Sequence, residues 1–232
     1  MTARPDLRVF YGGTFDPVHN GHVAIARSAR DACGVDIHVL PAADPPHRAP
    51  PGATAADRVA MVALAIVGEP GLVLDLRELE RDGPSWSIVT LRALRAGLGP
   101  RAPLAWLVGA DSFAGLPTWK DWRELLTLAH FIVAERPGSP LDSGLATELN
   151  EALEGRWTDE AEVLHASPGG RVLRLHQPLQ QHSATDLRRR IAAGLPWRDL
   201  VAPAVADYIV ERGLYGAART AAVIRSRPGP SL

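Results

Sequence analysis

The sequence predicts an α/β fold, a doubly wound parallel sheet of about six strands with helices on both faces. Short apolar runs alternate along the chain with longer stretches in which apolar residues have helical spacing. The strand candidates are apolar throughout, which is typical of parallel strands covered on both faces. Two of them end in glycine, at 12–13 and at 109, and in such sheets ligands bind where the carboxyl ends of strands meet helix N-termini. We therefore expect both strand ends at one edge of the sheet.

The first half of the chain contains four predicted strands and three predicted helices. Thr54 is expected to cap one of these helices, with Asp57 at its third position in a capping-box-like start. Gly34 ends another helix, and the proline-rich residues 44–53 exclude regular structure. The predictions are strand 7–13, helix 21–34, strand 35–43, helix 55–67, strand 72–79, a helix from Ser85 or Ser87 to Leu98, and strand 103–111.

The second half of the chain adds two strands and four helices. Ser183 and Gly194 begin and end one of these helices by the usual capping chemistry. The predictions are helix 119–129, strand 130–138, helix 141–155, strand 171–177, helix 183–194 and helix 202–216. Residues 1–216 are expected to form one domain, and residues 217–232 a flexible C-terminal extension with little to pack against.

The composition excludes several classes of protein. The chain has 232 residues and a formal net charge of −1, so no global basic field favours duplex nucleic acid as a partner. Cys33 is the only cysteine, which excludes an internal disulfide and suits a reducing cytoplasm. No stretch resembles a membrane span or a secretion signal. We expect a cytoplasmic protein with small-molecule partners, and the sequence leaves open whether it forms a homo-oligomer.

The stretch GGTFDPVHNGH follows the first predicted strand. Gly12 and Gly13 allow the backbone to approach a ligand closely. His19 and His22 are three residues apart, so on the first turn of a helix both rings lie on one face, about 60° apart. That face stands at the positive end of the helix, where phosphate binds readily. A phosphate site is favoured over a simple turn, and over a metal site that would need more ligands than the one nearby carboxylate.

This stretch resembles the N-terminal signature of the HxGH nucleotidyltransferases, a superfamily that includes the class I aminoacyl-tRNA synthetases. The second half of their signature is a Ser/Thr-rich turn followed by a helical arginine, and SATDLR at 183–188 is similar to it. Both halves occur in the expected order, and each precedes or opens a predicted helix. The resemblance implies a Rossmann-like fold and a nucleotidyl-transfer reaction.

Further segments resemble one branch, the bacterial nicotinate-nucleotide adenylyltransferases. With the two signature halves they span most of residues 8–215. Three positions depart from the pattern of that branch: Val89 stands where an acidic residue is usual, Arg48 replaces the commoner lysine, and Lys120 replaces a frequent aromatic residue. The resembling segments are PPHR (45–48), DGPSWSIVTL (82–91), WLVGADSFAGLPTWKDW (106–122) and ERPG (135–138).

The resemblance implies an enzyme that joins nicotinate mononucleotide to the AMP part of ATP and releases pyrophosphate, one step before NAD. Mg²⁺ is expected as the cofactor that accompanies ATP, held mainly by substrate and water, with no metal site on the protein. The implied catalytic residues are His19, His22, Arg48 and Arg188. The implied ATP contacts are Gly12, Gly13, Thr14, Phe15, His19, Gly21, His22, Gly109, Asp111, Arg136, Ser183, Thr185 and Arg188. The implied contacts to nicotinate mononucleotide are Thr14, Arg48, Ser87, Trp119 and Lys120.

The resemblance also assigns roles within these sets. Trp119, at the start of its predicted helix, stacks on the nicotinate ring, and backbone N–H groups near Ser87 and Lys120 hold the ring carboxylate. Asp111 contacts nucleotide ribose hydroxyls. The residues alone leave simpler interpretations open, since Trp119 and Trp122 are spaced as a core stripe and Asp111 as a helix N-cap. For Trp122 we expect the core.

Other functions remain as alternatives. The nearest are nicotinamide mononucleotide and phosphopantetheine adenylyltransferases of the same superfamily. Residues 82–91 and 106–122 argue against the phosphopantetheine branch, whereas only a carboxylate-for-amide difference separates nicotinate from nicotinamide. A non-catalytic nucleotide sensor is an alternative of another class, but every expected phosphate-contacting residue is present. The dinucleotide pattern G-x-G-x-x-G is absent, which disfavours a dehydrogenase.

Overall fold

A computed structural model of the chain describes residues 6–43, 52–135, 141, 144–177 and 183–218. Its strands are β1 (Arg8–Gly13), β2 (Ile37–Pro41), β3 (Leu72–Leu74), β4 (Leu104–Gly109), β5 (His130–Ala134), β6 (Trp157–Thr158) and β7 (Val172–Leu175). They form one seven-stranded sheet in the order β3-β2-β1-β4-β5-β7-β6, and all its pairings are parallel. The predicted doubly wound parallel sheet is confirmed. The strand beyond the predicted six is β6, whose two residues are too few to show a period in the sequence.

Seven of the eight α-helices in the described residues correspond to predicted helices, and the exception is the five-residue helix directly after β4. The helices are α1 (Asn20–Cys33), α2 (Ala55–Ala65), α3 (Ser87–Leu98), α4 (Ala110–Ala114), α5 (Trp122–Leu128), α6 (Thr147–Ala152), α7 (Ala184–Ala192) and α8 (Pro203–Arg212). Two predicted caps are confirmed: Thr54 Oγ1 accepts the N–H of Asp57, and Ser183 Oγ accepts the N–H of Asp186, both at 3.1 Å. Of the predicted extension, the structure describes only residues 217 and 218.

The sheet separates two hydrophobic clusters, one on each face. Strand side chains alternate between them, so Val9 and Tyr11 enter one cluster while Phe10 enters the other. Apolar residues of α1, α2, α7 and α8 cover the first face, and those of α3, α4, α5 and α6 cover the second. This double cover explains why the strands are apolar throughout.

The position of β1 fixes where a ligand can bind. β1 lies between β2 and β4, and the chain proceeds outward in one direction through β2 and β3 and in the other through β4, β5 and β7. The strand order therefore reverses beside β1. In open parallel sheets this reversal leaves a crevice at the carboxyl ends of the strands. Gly12 and Gly13 end β1 and Gly109 ends β4, so all three flank that crevice.

Several predicted elements are shorter in the structure, and for three of them the chain shows the reason. β3 ends at Leu74 instead of 79, because the Asp75 carboxylate accepts the N–H of Arg77 at 3.1 Å and turns the chain. The helix predicted over 119–129 begins only at Trp122. Pro117 lies in a 3₁₀ turn over 116–118, and the residue before Trp122 has a φ of 52° that breaks the helical path.

The helix predicted over 141–155 is reduced to α6, Thr147–Ala152. Beyond it, Gly155 has a φ of 68° and the chain turns into β6. Leu149 and Leu153 of this stretch are buried on the second face. Residues 136–138, at the end of the predicted strand 130–138, lie outside the described residues. The other predicted elements differ from the observed ones by up to four residues at their ends.

His130, the first residue of β5, holds the loop that precedes β7 in place by two hydrogen bonds. Its side chain is fully buried. Nδ1 accepts the N–H of Arg171 at 3.0 Å, so the ring proton is on Nε2, which donates to the Ser167 carbonyl at 2.8 Å. Burial lowers the pKa of His130, because a charged ring here has no water around it. Arg95 fixes the same loop by donating to the Pro168 carbonyl at 2.8 Å.

We predict that His130 makes the protein less stable in mild acid. In the unfolded chain a histidine titrates near an ordinary pKa of about 6.5, whereas the folded pKa is lower. Between these values the unfolded state binds a proton that the folded state does not, so the free energy of unfolding decreases as pH falls. Urea unfolding of wild type and His130→Gln at about pH 7.5 and about pH 5.5 measures this, and the variant should lose less.

The control for this measurement is His176→Gln. The side chain of His176 is 70% exposed, so its variant should keep the wild-type difference between the two pH values. An equal difference in His130→Gln and wild type would contradict the assignment.

Candidate active site

The glycines that end β1 pack against aromatic rings. A Cβ on Gly12 would lie 2.3 Å from Cζ2 of Trp106, and one on Gly13 would lie 2.9 Å from Cζ of Phe15. Both rings are 2% exposed and belong to the core. Glycine is therefore required at Gly12, where no side chain fits between the strand and the indole. The ring of Phe15 faces inward, so a contact from Phe15 to a nucleotide has to come from its backbone.

The two histidines lie at the start of α1, as their spacing predicts. His19 is the N-cap residue and is 8% exposed, and Gly21 and His22 follow in the first turn. The two imidazoles stack with their centroids 3.8 Å apart. Nδ1 of His22 accepts the backbone N–H of His19 at 3.2 Å, so a neutral His22 has its proton on Nε2. The edge of Phe15 supports this ring, with centroids 5.1 Å apart.

Arg58 holds the backbone on both sides of the crevice. It is 1% exposed, and its guanidinium donates to the carbonyls of Thr14 at 2.8 Å, Ala42 at 2.6 Å and Ala43 at 2.9 Å. Burial lowers the pKa of Arg58, but the ordinary value is so high that the group stays charged. The loop after β1 and the end of β2 are thereby fixed to α2. A signal for Arg58 exists in the sequence, since it lies on the buried stripe 58-61-62-65 of α2.

Arg188 of α7 reaches the GGTFDPVHNGH stretch across 172 positions of sequence. Its Nη1 donates to the carbonyl of Asp16 at 2.6 Å and lies 3.6 Å from the Asp16 carboxylate. Nη2 lies 3.4 Å from Oγ1 of Thr185, and Ser183 caps the helix. The side chain of Arg188 remains 35% exposed. The fold therefore brings together the two halves of the predicted signature.

Ser87 and Lys120 are two of the residues predicted to contact the acceptor, nicotinate mononucleotide. Oγ of Ser85 accepts the N–H of Ala43 at 2.9 Å, which places the start of α3 beside the end of β2. Ser87 is the first residue of α3, and Trp86 precedes it. Nζ of Lys120 lies 5.5 Å from the centroid of the Trp86 ring. The segments around Ser87 and Lys120 are thus adjacent.

The predicted helix start at Trp119 is wrong. Trp119 ends the 3₁₀ turn over 116–118 with an extended backbone, and α5 begins three residues later. Its side chain is partly buried against the second cluster together with Trp86. Trp122 is 7% exposed, so its predicted place in the core is confirmed. Amide groups near Lys120 therefore belong to a turn, without the dipole of a full helix.

Gly109 and Asp111 lie where β4 passes into α4. Gly109 is the N-cap residue of this short helix, and Asp111 is exposed in its first turn. The alternative that Asp111 is itself the N-cap is therefore wrong. Two predicted contacts, Arg48 and Arg136, lie outside the described residues.

Two absences apply to the described part of the chain. There, no group of three or more His, Cys, Asp or Glu side chains is placed to hold a metal ion. No helix within the same residues combines the length and apolarity required to cross a bilayer.

Comparison with known proteins identifies the family. The cytidylyltransferase-like family model matches residues 10–190. A protein of Stenotrophomonas maltophilia described as a probable nicotinate-nucleotide adenylyltransferase is 61% identical over 214 residues, 90% of this chain and 96% of its own. The chain belongs to this adenylyltransferase family. A relative from Xylella fastidiosa with the same description is 44% identical over 216 residues, 91% of this chain and 97% of its own.

Solved structures of more distant adenylyltransferases have the same fold. The Plasmodium falciparum nicotinic acid mononucleotide adenylyltransferase complexed with NaAD matches with a TM-score of 0.69 at 16% identity, covering 91% of this chain and 98% of its own. A Vibrio parahaemolyticus protein described as a putative nicotinate-nucleotide adenylyltransferase matches with a TM-score of 0.59 at 13% identity, covering 90% and 95%. At these identities the similarity supports the architecture.

We predict that Gly12→Ala destabilises the fold. Its Cβ would overlap the buried indole of Trp106, and overpacking of this kind costs about 1–3 kcal/mol of unfolding free energy. Urea unfolding measures the change. Gly97→Ala is the matched control, because Gly97 lies in α3 and a Cβ there meets nothing within 4 Å. The control should be neutral or stabilised by up to about 1 kcal/mol. A Gly12→Ala variant as stable as wild type would refute the steric requirement.

Proposed function

We propose that this protein joins nicotinate mononucleotide to the AMP moiety of ATP, giving nicotinate adenine dinucleotide and pyrophosphate, as expected for its family. The observation that carries the proposal is the contact of Arg188 with Asp16, which unites the HNGH helix start and the SATDLR helix start at the sheet's crevice. Helix N-termini, imidazole donors and an arginine are the groups that bind phosphates. The family relationship supports the choice of acceptor.

The reaction requires positioning and charge neutralisation. The phosphate oxygen of the mononucleotide is already anionic, so it attacks the α-phosphorus of ATP without a general base. The bond to the pyrophosphate leaving group breaks on the opposite side. Most of the rate enhancement then comes from aligning the two phosphates and stabilising the negative charge of the transition state.

His19 and His22 are proposed to donate hydrogen bonds to the phosphates of ATP. In His22 the bond from the His19 N–H to Nδ1 fixes the tautomer that has its donor on Nε2. The dipole of α1 adds a positive field at the same place, which includes the amide of Gly21. Gly12, Gly13, Thr14 and the backbone of Phe15 are proposed to line the point of attack.

Arg188 is proposed to bind the leaving pyrophosphate, because its guanidinium is permanently charged and remains partly exposed. Ser183 and Thr185 contribute hydroxyl and amide groups from the same helix start. Arg48 and Arg136 are proposed as further cations on the phosphates, and Gly109 and Asp111 as contacts to the nucleotide. Mg²⁺ is proposed to enter with ATP, bound by phosphate oxygens and water.

The acceptor ring is proposed to stack on Trp119. The adjacent turns at Ser87 and Lys120 then offer amide groups to its carboxylate. A cytoplasmic location is proposed because ATP is the substrate and because Cys33, the only cysteine, is a buried free thiol.

A pyrophosphate-release assay with ATP and Mg²⁺ tests the function. Nicotinate mononucleotide, nicotinamide mononucleotide and phosphopantetheine are compared as acceptors, and the first should be preferred. Absence of release with every acceptor would overturn the enzymatic proposal. A preference for the nicotinamide form would overturn only the choice of acceptor.

We predict that His22→Ala and His22→Asn each lower kcat by about 100-fold or more, equivalent to about 2.7 kcal/mol of transition-state stabilisation. Both lose the Nε2 donor. Asparagine keeps an acceptor near the position of Nδ1, so His22→Asn should retain the bond to the His19 N–H and most of the helix cap. Steady-state kinetics with a melting curve measure the effect. Turnover within about threefold of wild type in both variants would remove the phosphate role.

We predict that Trp119→Ala weakens binding of the mononucleotide selectively. Stacking of a base-like ring on an aromatic side chain contributes about 1–3 kcal/mol, so KM for that substrate should rise about 5- to 150-fold while KM for ATP changes little. Trp119→Phe keeps an aromatic face and serves as the control, with a smaller increase. An unchanged KM for the mononucleotide in Trp119→Ala would remove the stacking role.

A further inference from the structure

The carboxylate of Asp16 joins three distant segments of the chain. It is 6% exposed, and Asp16 lies three residues after Gly13, the last residue of β1. Oδ2 accepts the N–H of Gly52 at 2.8 Å. Oδ1 accepts the N–H of Ala53 at 3.1 Å and the hydroxyl of Tyr215 at 2.7 Å. Three neutral groups therefore donate hydrogen bonds to a nearly buried carboxylate.

Arg188 lies beside this carboxylate but is not hydrogen-bonded to it. Nη1 donates to the backbone carbonyl of Asp16 at 2.6 Å, whereas its distance to Oδ2 is 3.6 Å. Among the described residues, Arg58 also interacts electrostatically with Asp16, but its terminal nitrogens already donate to three backbone carbonyls. Of these two cations, Arg188 is therefore the one that can shift toward the carboxylate.

Tyr215 is held in an unusual conformation to make its contact. It lies in the last described turn with φ 58° and ψ 20°, a region that non-glycine residues rarely occupy without a constraint from their surroundings. Its ring covers Gly52, where a Cβ would lie 3.1 Å from Cδ1 and Cε1. Burial and the bond to Asp16 raise the pKa of Tyr215, so the phenol keeps its proton and donates.

We propose that Tyr215 is a positioning residue for Arg188. Its hydroxyl, with the two amides, saturates the Asp16 carboxylate, so that Arg188 is oriented by the Asp16 carbonyl and is not drawn into a close ion pair. The remaining N–H groups of the guanidinium then stay available to a phosphate. The inference rests on the proposed function, and it gives the C-terminal turn a role in the phosphate site.

The physical reason is competition for one carboxylate. A carboxylate has about four lone-pair positions, and an arginine fork binds two oxygens in a planar bidentate pair. Loss of the phenol donor leaves Oδ1 under-satisfied in a site with little water, where an unpaired charge is costly. Movement of Arg188 toward the carboxylate removes that cost, at the expense of its contact with substrate.

Tyr215→Phe tests the proposal, because it removes the hydroxyl and keeps the ring on Gly52. We expect kcat/KM for ATP to fall about tenfold, with KM for the mononucleotide changed by less than about twofold. Tyr208→Phe is the matched control. The Tyr208 hydroxyl donates to the Asp57 carboxylate at 2.8 Å, a bond of the same kind in the same C-terminal region, on a different carboxylate. This control should stay within about twofold of wild type.

A double-mutant cycle separates positioning from general stabilisation. In an Arg188→Ala background, where the positioned group is missing, Tyr215→Phe should change kcat/KM by less than about twofold. A further tenfold loss in that background would overturn the proposal, because it would show that Tyr215 acts independently of Arg188. Melting curves establish that each variant is folded.

Asp16→Asn offers a second background if Tyr215→Phe alone does not fold. An amide has no charge to attract Arg188, so adding Tyr215→Phe to Asp16→Asn should have little effect on kcat/KM, and a tenfold loss would contradict the proposal. The failure of the proposed function is distinguishable, since it would appear as no pyrophosphate release in wild type and in Tyr208→Phe. Full activity of Tyr215→Phe beside an active wild type would overturn only the positioning role.

Discussion

A single buried guanidinium, that of Arg58, determines the geometry of the crevice. β1 and β2 both end there, and each leaves carbonyl groups that the sheet ladder no longer satisfies. Arg58 donates to three of them, from Thr14, Ala42 and Ala43. A buried charge is costly unless its hydrogen bonds are made, so these three carbonyls are held firmly in place. The turn that follows β1, and with it the start of α1, is fixed by this contact.

The negative charge at the crevice is likewise held by hydrogen bonds from distant parts of the chain. The carboxylate of Asp16 is almost fully buried, yet neutral donors from the chain after the proline-rich segment and from the C-terminal turn bind it. The crevice therefore contains an acidic group whose oxygens are bound by neutral donors, with the Arg188 guanidinium 3.6 Å away. Positive charge at the crevice includes the start of α1, the buried Arg58 and Arg188, which remains partly exposed. This distribution suits ligands that have several phosphates.

Adenylyl transfer to a phosphate requires few specialised side chains. Transfer of an adenylyl group to a phosphate involves an anionic nucleophile and a good leaving group, so neither an activated side chain nor a strong base is required. What the protein contributes is alignment and fixed dipoles, and both depend on rigid backbone. The close packing of Gly12 on Trp106 and of Gly13 on Phe15 supplies that rigidity directly beneath the site.

Much of the architecture could be predicted from the sequence, because it depends on local signals. Apolar runs gave the six longer strands, Thr54 and Ser183 gave two helix starts, and the spacing of His19 and His22 gave their common place at the start of α1. The predictions of elements were wrong where long-range pairing or backbone conformation determines the structure. β6 has two residues and exists through its pairing with β7, and α5 is delayed by a left-handed residue at Asp121 that no apolar pattern reveals.

The sequence by itself determined the doubly wound fold, the glycine-ended strands and the residue types proposed to bind phosphate, since these follow from periodicity, capping and side-chain chemistry. Only the tertiary structure decided which groups meet. Three contacts join positions far apart in the chain. Arg188 and Tyr215 both bind Asp16, and Arg58 donates to carbonyls after β1 and β2. Such contacts depend on how the helices pack on the two faces of the sheet. A contact between residues so far apart in the chain leaves no local pattern in the sequence.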